Sequence, residues 1–485
     1  MARSDIRFLH GFEPHSLDGV DPSMTVLNWL REDQGRTGTK EGCAEGDCGA
    51  CTVVLARLEG NGLRYRAVNA CILFLPQLDG AQLITVEHLR GENGRLHPIQ
   101  QAMVDHHASQ CGFCTPGFVM SLFAIAKDGP EHTRETIADG LAGNLCRCTG
   151  YRPIIDAALD VLKEPSGDPF EVRVKETISA LKALRIDEML AIEANGKRYQ
   201  APRDIGALAE LVKTAPKAHL LAGGTDIGLW VTKQHRDLKT VIDVTRAPEL
   251  QEIETSATHL RIGSAVTYQQ IHATIRDRWV DFGELIRRIG DMQVRGAGTI
   301  GGNIANGSPI GDTMPALIAL ESKLVLQKGR RQRSLELEEF YLDYQKTVLE
   351  PGEFVLRIDI PLPTTGSLFK CYKISKRFDQ DISAVMAAFS LVLGADQTVK
   401  KIRIGFGGMA AIPKRTARTE QAMLGKPWTI TTIEEGQKAL AEELKPLSDM
   451  RASADYRLTV AQNLLRKFYI ETTEPKTLTR ILETT

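Results

Sequence analysis

Apolar positions divide the chain into three kinds of territory. In the first eighty or so residues they come in short bursts. Ile6 with Phe8, then Val20, then the unbroken run Val53-Val54-Leu55 predict short strands. Residues 25–32 place Val26, Leu27 and Leu30 on one side of a helix. From residue 95 to 163 the period lengthens to that of helices. One helix is predicted over 98–107. A second starts at Thr115-Pro116, where Thr caps and Pro suits the first turn. Its apolar stripe is Phe118, Val119, Leu122, Phe123 and Ile125, and Asp128-Gly129-Pro130 ends it. A third covers 133–141 and a fourth 153–162.

Turn formers and charges in Lys163-Glu164-Pro165-Ser166-Gly167-Asp168-Pro169 predict a linker. The polar stretch after it, to about Asn195, reads as either helical over 178–190 or partly mobile. Beyond Gln200 strands and helices alternate: a helix over 202–214, and strands at 220–222 and 241–244. A last region opens near Leu368, with strands over 384–393 and 402–406 and helices over 433–444 and 454–468. The expected fold class is α+β multidomain. The boundaries are 1–88, 89–164, a linker over 165–195, 196–366 and 367–485.

Charge removes some classes of function. Sixty basic and 61 acidic residues leave a net charge of −1, so nothing favours nucleic acid or an anionic membrane. The basic stretch Lys328, Arg330, Arg331, Arg333 is followed by Glu336, Glu338 and Glu339 and reads as a solvated turn and strand face. No membrane span is expected. The start lacks the apolar centre of a secretory signal. A cytoplasmic setting, with reduced thiols, is therefore expected.

Eight of the nine cysteines then carry the chemistry. Cys43, Cys48, Cys51 and Cys71 read C-x4-C-x2-C, then a fourth Cys after 19 residues, which is the plant-type [2Fe–2S] spacing. Gly42, Gly46 and Gly49 would let this loop wind closely around a cluster. Cys111, Cys114, Cys146 and Cys148 read C-x2-C, 31 residues, C-x-C, each pair just before a helix. Four thiolates also suit zinc, and a zinc-stabilised scaffold is the rival reading. Cys371 reads as a buried hydrophobe and His106-His107 as a helix end.

Two glycine-rich segments lie in the α/β part. Leu221-Ala222-Gly223-Gly224-Thr225-Asp226-Ile227-Gly228 follows a strand, and Thr299-Ile300-Gly301-Gly302-Asn303-Ile304-Ala305-Asn306-Gly307-Ser308-Pro309 comes later. Neither fits G-x-G-x-x-G. Both can offer backbone N–H groups to a pyrophosphate, with Thr225, Asn303 and Ser308 as side-chain donors and Asp312 as an acceptor from ribose or adenine. A flavin suits one-electron carriers upstream.

Here the chain resembles a known family. The C-x4-C-x2-C loop, Gln110-Cys111-Gly112-Phe113-Cys114-Thr115-Pro116-Gly117 and Cys146-Arg147-Cys148-Thr149-Gly150-Tyr151-Arg152-Pro153 look like the paired [2Fe–2S] domains of the molybdenum hydroxylases. Ala222-Gly223-Gly224-Thr225-Asp226 and Gly301-Gly302-Asn303-Ile304-Ala305 look like its FAD domain, and Phe406-Gly407-Gly408-Met409-Ala410 like its C-terminal FAD-associated domain. With clusters and FAD on one chain, the likeness is to the small subunits of bacterial xanthine dehydrogenases.

The resemblance implies a β-grasp ferredoxin domain, a helical [2Fe–2S] domain, an α/β FAD-binding domain of the molybdenum hydroxylase (PCMH-like) type and an α+β C-terminal domain. It implies two clusters held by the eight cysteines. FAD would lie against Leu221, Ala222, Gly223, Gly224, Thr225, Asp226, Ile227, Thr299, Gly301, Gly302, Asn303, Ser308, Asp312 and Lys373. NAD is the implied acceptor, and molybdopterin is expected only on a large partner subunit in an (αβ)2 assembly. Electrons from xanthine or hypoxanthine oxidation would pass through the helical-domain cluster, the plant-type cluster and FAD. Gln110 and Cys148 match positions near the pterin, and Lys376-Arg377-Phe378-Asp379-Gln380-Asp381 matches the loop beside the flavin. No residue is assigned as a catalytic acid, base or nucleophile. The reductase of another molybdenum hydroxylase, acting on an aldehyde or N-heterocycle, is the enzyme alternative.

Overall fold

The computed structural model describes residues 2–91, 94–128, 132–163, 168–184 and 188–479. Two compact units emerge: Met1–Pro248 with Gly290–Gly298, and Glu249–Ile289 with Thr299–Thr485.

Unit 1 opens with β1 (Ile6–His10), β2 (Glu13–Leu17), β3 (Thr52–Glu59), β4 (Gly62–Asn69) and β5 (Gln82–Ile84), ordered β2-β1-β5-β3-β4. The pair β1/β5 is parallel and the other pairs are antiparallel. A short helix, Val26–Asn28, continues into a wider turn over Trp29–Asp33 and packs on the sheet, giving the β-grasp arrangement. Thr25 Oγ1 caps it by accepting from Asn28 N at 3.2 Å. Val20 lies outside any strand. The polar edge strand β2 takes that place, because a turn at Gly11 (φ +63°) folds Glu13 back onto His10.

β3 explains its own lack of alternation. Val53 and Leu55 enter one core with Phe8, Trp29 and Leu83, while Val54 and Ala56 enter another with Phe118, Leu122 and Ile154. Both faces are covered there, so the four consecutive residues Val53 to Ala56 are all apolar. The second core belongs to the helices Pro98–Asp105, Thr115–Asp128, Arg134–Gly140 and Arg152–Val161. Each lies where a helix was predicted, within two residues at either end. The stop signal Gly129-Pro130 lies outside the described residues.

The linker stretch needs correction. Its helix is Val174–Leu184, with Thr177 and Leu181 buried, rather than 178–190. Leu190 instead opens β6 (Leu190–Ala194), which pairs with β7 (Lys197–Ala201). Tertiary pairing decides this: Leu190 and Ile192 join the β-grasp core, and Arg3 bridges to Leu190. Residues 164–167 and 185–187 lie outside the described set. With β8 (His219–Leu221) and β9 (Thr240–Asp243) these strands form a sheet ordered β6-β7-β9-β8. β8 runs directly into the first glycine-rich segment.

In unit 2 the strands Ile253–Thr255, His259–Gly263, Phe354–Pro361, Lys323–Lys328 and Arg331–Glu336 lie side by side in that order. The basic stretch turns there, with Lys328 and Arg331 both paired to Glu350 at the surface. A second sheet is antiparallel: Ser367–Ile374, Val385–Leu393, Val399–Gly407 and Lys414–Arg415. Met386 and Ala388 face the first core of unit 2, and Val385, Ala387 and Phe389 face a second, under the helices Ile430–Glu443 and Ala454–Thr473. Among the described residues no helix is long and apolar enough to cross a membrane.

Candidate redox-cofactor site

The loop between the first helix and β3 gathers Cys43, Cys48 and Cys51, and Cys71 arrives just after β4. Gly49 sits at φ +69°, a conformation that costs glycine little. A Cβ at Gly42 would stand 2.8 Å from Cys48 Sγ. Cys43 Sγ accepts from Glu45 N (3.5 Å) and Asp47 N (3.4 Å). Asn69 steadies the far side, donating to Gly46 O at 2.9 Å and accepting from Cys51 Sγ at 3.8 Å.

Cys43, Cys48 and Cys71 sit in unequal surroundings. Contacts from Cys48 and Cys71 hold the Cys43 thiol far below its usual range. Hydrogen bonding to Cys43, then burial, pushes Cys48 far up, and hydrogen bonding to Cys43 and Cys51, then burial, does the same to Cys71. A cationic core would let all four become thiolates. Among the described residues no group of three or more His, Cys, Asp or Glu is arranged to hold a single metal ion. The four thiols form one connected group, Cys43 touching both Cys48 and Cys71 and Cys71 touching Cys51.

The second quartet behaves alike. Cys111 touches Cys148, and Cys114 touches Cys146. Burial and the Cys146 contact push Cys114 up to about 12. Burial also works against ionisation of Cys146, but hydrogen bonding from Thr149 outweighs it and lowers that thiol. Tyr151, at φ +68°, accepts from Cys146 N at 3.0 Å. Gln110, Cys111 and Cys148 lie exposed, with Phe113 and Leu145 beside them in sequence also exposed. The two loops meet directly: Leu145 N donates to Cys48 O at 3.0 Å.

The first glycine-rich segment sits on the residues that follow Cys71. Gln77 Nε2 donates to Ala222 O at 3.1 Å. A Cβ at Gly223 would overlap the Ala297 carbonyl. At Gly228 it would stand 2.6 Å from Ile72 O, and Gly224, at φ +76°, faces the same carbonyl at 3.2 Å. Gln77 is itself fixed, because Arg246 donates to Gln77 O (3.0 Å) and Asp79 O (2.8 Å). Lys233 donates to Cys43 O at 2.7 Å. Burial holds the Asp226 carboxyl above its usual range.

The second glycine-rich segment belongs to unit 2. Thr299 Oγ1 caps the helix Ile300–Asn306 by accepting from Gly302 N at 3.1 Å. A Cβ at Gly301 would collide with Ser264. Asn303 Oδ1 accepts from Thr313 Oγ1 (2.8 Å), and Ser308 Oγ accepts from Ile310 N (3.4 Å). Asp312 is buried, paired with Lys373 Nζ at 2.7 Å and accepting from Ser383 Oγ at 2.5 Å. Lys373 also donates to Arg288 O at 2.9 Å. Both residues of this pair were candidates from sequence, and the fold brings them together.

Four domain models match this chain in order. They are a 2Fe-2S iron-sulfur cluster binding domain over 12–75, a [2Fe-2S] binding domain over 85–159, the FAD binding domain in molybdopterin dehydrogenase over 192–363, and the CO dehydrogenase flavoprotein C-terminal domain over 370–472. The chain belongs to the molybdenum hydroxylase family.

Curated relatives of this molybdenum hydroxylase chain include xanthine dehydrogenase of Drosophila subobscura, 31% identical over 93% of this chain and 38% of that protein. Xanthine dehydrogenase/oxidase of Gallus gallus is 28% identical over 93% of this chain and 39% of its own length. The chain thus spans about two fifths of the curated relatives it matches. Carbon monoxide dehydrogenase from Hydrogenophaga pseudoflava superposes with a TM-score of 0.53 at 28% identity, covering 56% of this chain and 94% of that one. Quinoline 2-oxidoreductase from Pseudomonas putida 86 shares the fold at a TM-score of 0.51 and 24% identity, over 56% of this chain and 95% of that one.

Several residues around the site escaped the sequence reading. Asn69 orders the loop of the first quartet, Gln77 the first glycine-rich segment, and Tyr151, quoted only as part of a motif, accepts from the Cys146 amide. Their only signal was adjacency: Asn69 lies two residues before Cys71, and Tyr151 three after Cys148.

Proposed function

We propose that the chain is the iron–sulfur flavoprotein subunit of a xanthine-oxidising molybdenum hydroxylase, joined to a molybdopterin-binding large subunit in an (αβ)2 assembly, with NAD as acceptor. The domain order is the one given by 1–88, 89–164, 196–366 and 367–485. Cys43, Cys48, Cys51 and Cys71 hold the plant-type cluster, and Cys111, Cys114, Cys146 and Cys148 the other. The segments 221–227 and 299–308, with Asp312 and Lys373, hold FAD. When bound, these groups supply one-electron carriage and its conversion to an electron pair.

The observation that carries the reading is a run of direct contacts inside one unit. Leu145 N meets Cys48 O, and Gln77, six residues after Cys71, meets Ala222 O. Within each quartet the protein's own task is to hold thiolates and direct amides at sulfur, and at the first quartet Cys51 and Cys71 are also shielded from water. The exposed edge at Gln110, Cys111 and Cys148 is where the molybdenum-bearing subunit docks. Xanthine dehydrogenase names among relatives covering 93% of the chain favour a purine substrate.

Metal and flavin analysis tests the core of this. About four irons, four labile sulfides and one FAD per chain support it. Stoichiometric zinc without iron supports the scaffold instead. Co-purified with its large subunit, the chain should sustain xanthine-dependent NAD reduction. Turnover of an aldehyde or nicotinate in place of xanthine would move the substrate assignment and leave the cofactor assignment standing.

A further inference from the structure

Between the two cysteine loops lies a buried polar cluster that no cofactor assignment uses. Thr52, Ser121, Asn144 and Gln293 are each 2% exposed or less. Thr52 follows Cys51, Asn144 precedes Cys146 by two residues, and Ser121 lies on the helix that begins after Cys114. Gln293 comes from the segment Gly290–Gly298, which belongs to the same compact unit.

The proton directions follow from one group. The Gly49 carbonyl can only accept. Thr52 Oγ1 therefore donates to it at 2.7 Å, and Asn144 Nδ2 donates to it at 3.1 Å. That orients the Asn144 amide, so its Oδ1 accepts from Ser121 Oγ at 2.6 Å. Both hydroxyl hydrogens are now committed. Gln293 Nε2 then stands 3.0 Å from Thr52 Oγ1, 3.2 Å from Ser121 Oγ and 3.1 Å from Asn144 Oδ1, three atoms that can only accept. The site demands a donor. Gly143 is what lets the segment come so near, since a Cβ there would stand 2.6 Å from Asp291 Cβ and collide with Gln293.

We infer that Gln293, acting through Asn144, is a positioning residue that locks the two cysteine quartets at a fixed separation. This rests on the iron–sulfur reading above. Gln293 touches neither quartet; it ties Thr52, beside one, to Asn144 and Ser121, which frame the other. A methionine of similar shape removes the donor these three buried acceptors share: Asn144 Oδ1 keeps Ser121 Oγ, Thr52 Oγ1 keeps only the longer contact from Asn144 Nδ2 at 3.4 Å, and Ser121 Oγ loses its donor. A glutamate adds a charged acceptor facing the same three oxygens and is the more harmful change.

The test is electron paramagnetic resonance of the reduced full chain, with iron content and the midpoint potential of each centre. Wild type should show magnetic interaction between the two centres. Gln293→Met should keep its iron, lose most of that interaction and shift at least one midpoint. Gln293→Glu should do so more severely at neutral pH and recover in part under mild acid, as its carboxyl regains a proton. Iron-loaded variants with unchanged interaction and midpoints would overturn the inference alone. If Gln293→Met does not accumulate, Ser121→Ala removes one arm of the cluster and should weaken the interaction with iron retained; no change there overturns the inference equally. Wild type without iron would overturn the cofactor reading and this inference together.

Discussion

Acid should loosen the β-grasp domain well above the range where carboxylates titrate, and two histidines set the size of the effect. His10, on β1, is 3% exposed. Its ring lies 4.5 Å from that of His88, 5.2 Å from His15 and 5.1 Å from Trp29. Neither His10 Nε2 nor His88 Nε2 makes a hydrogen bond, and His88 Nδ1 accepts from Thr85 N at 3.0 Å. Burial, then the neighbouring imidazoles and Arg36, holds His10 down to about 3, against the pull of Glu87. Burial, with Arg36 and His15, does the same to His88. In the unfolded chain both titrate near their ordinary value of about 6.5. The folded values are depressed, so the unfolded state binds more protons between about pH 6.5 and pH 3, and stability is full above that window and falls as pH drops through it. From about pH 7 to pH 4.5 an imidazole kept neutral in the fold costs about 2.5 kcal/mol, and solvent screening and coupling reduce the pair to roughly that total. Urea unfolding followed by circular dichroism across this range should show the loss in wild type and roughly half of it in His10→Phe. Equal pH slopes in wild type and variant would refute the argument.

Two further outcomes are expected. Gly228→Ala sets a Cβ 2.6 Å from Ile72 O, and overpacking of that kind costs about 1–3 kcal/mol. Its urea midpoint should fall and its flavin content with it; a wild-type midpoint would show that the contact is slack. Lys373→Met strands the buried Asp312 carboxylate with only Ser383, a loss of about 3–5 kcal/mol. The double variant Lys373→Met with Asp312→Asn should recover much of that stability, and an additive double mutant would argue against a buried pair.

Element types were legible where local signals were strong. Thr115-Pro116 opened a helix and ran as its apolar stripe required, because first-turn proline and stripe act within the helix itself, although Thr115 enters the helix and its hydroxyl meets Ser109 Oγ at 2.7 Å rather than capping. Leu190-Ala191-Ile192 was hidden, since a strand of five residues beside a polar stretch is decided by its partner β7 and by the core it enters. β2 was hidden for a similar reason. Its sequence Glu13-Pro14-His15-Ser16-Leu17 carries no apolar alternation and is a strand because it pairs with β1. The cysteine quartets were legible as groups because thiols at those spacings have few other uses. Asn144 and Gln293, 149 residues apart in sequence, carry no such mark.

The glycines of the first glycine-rich segment have a cause inside the protein. Close approach of a pyrophosphate was the expected reason for them. Gly223 and Gly228 are also required by the protein itself: a side chain at either would strike Ala297 or Ile72. Ile72 is the residue after Cys71, so the segment is shaped by the loop that bears the plant-type quartet. The same logic holds one step back, where Leu145 N, next to Cys146, meets Cys48 O. Contacts made by main chain survive most side-chain substitutions. Residue identity is then constrained only where a side chain must be absent, at Gly223 and Gly228, or must donate in one direction, at Asn144 and Gln293. Substitutions at those four positions should disturb the relation between the centres, whereas changes at exposed neighbours such as Glu41 or Arg147 should leave it intact.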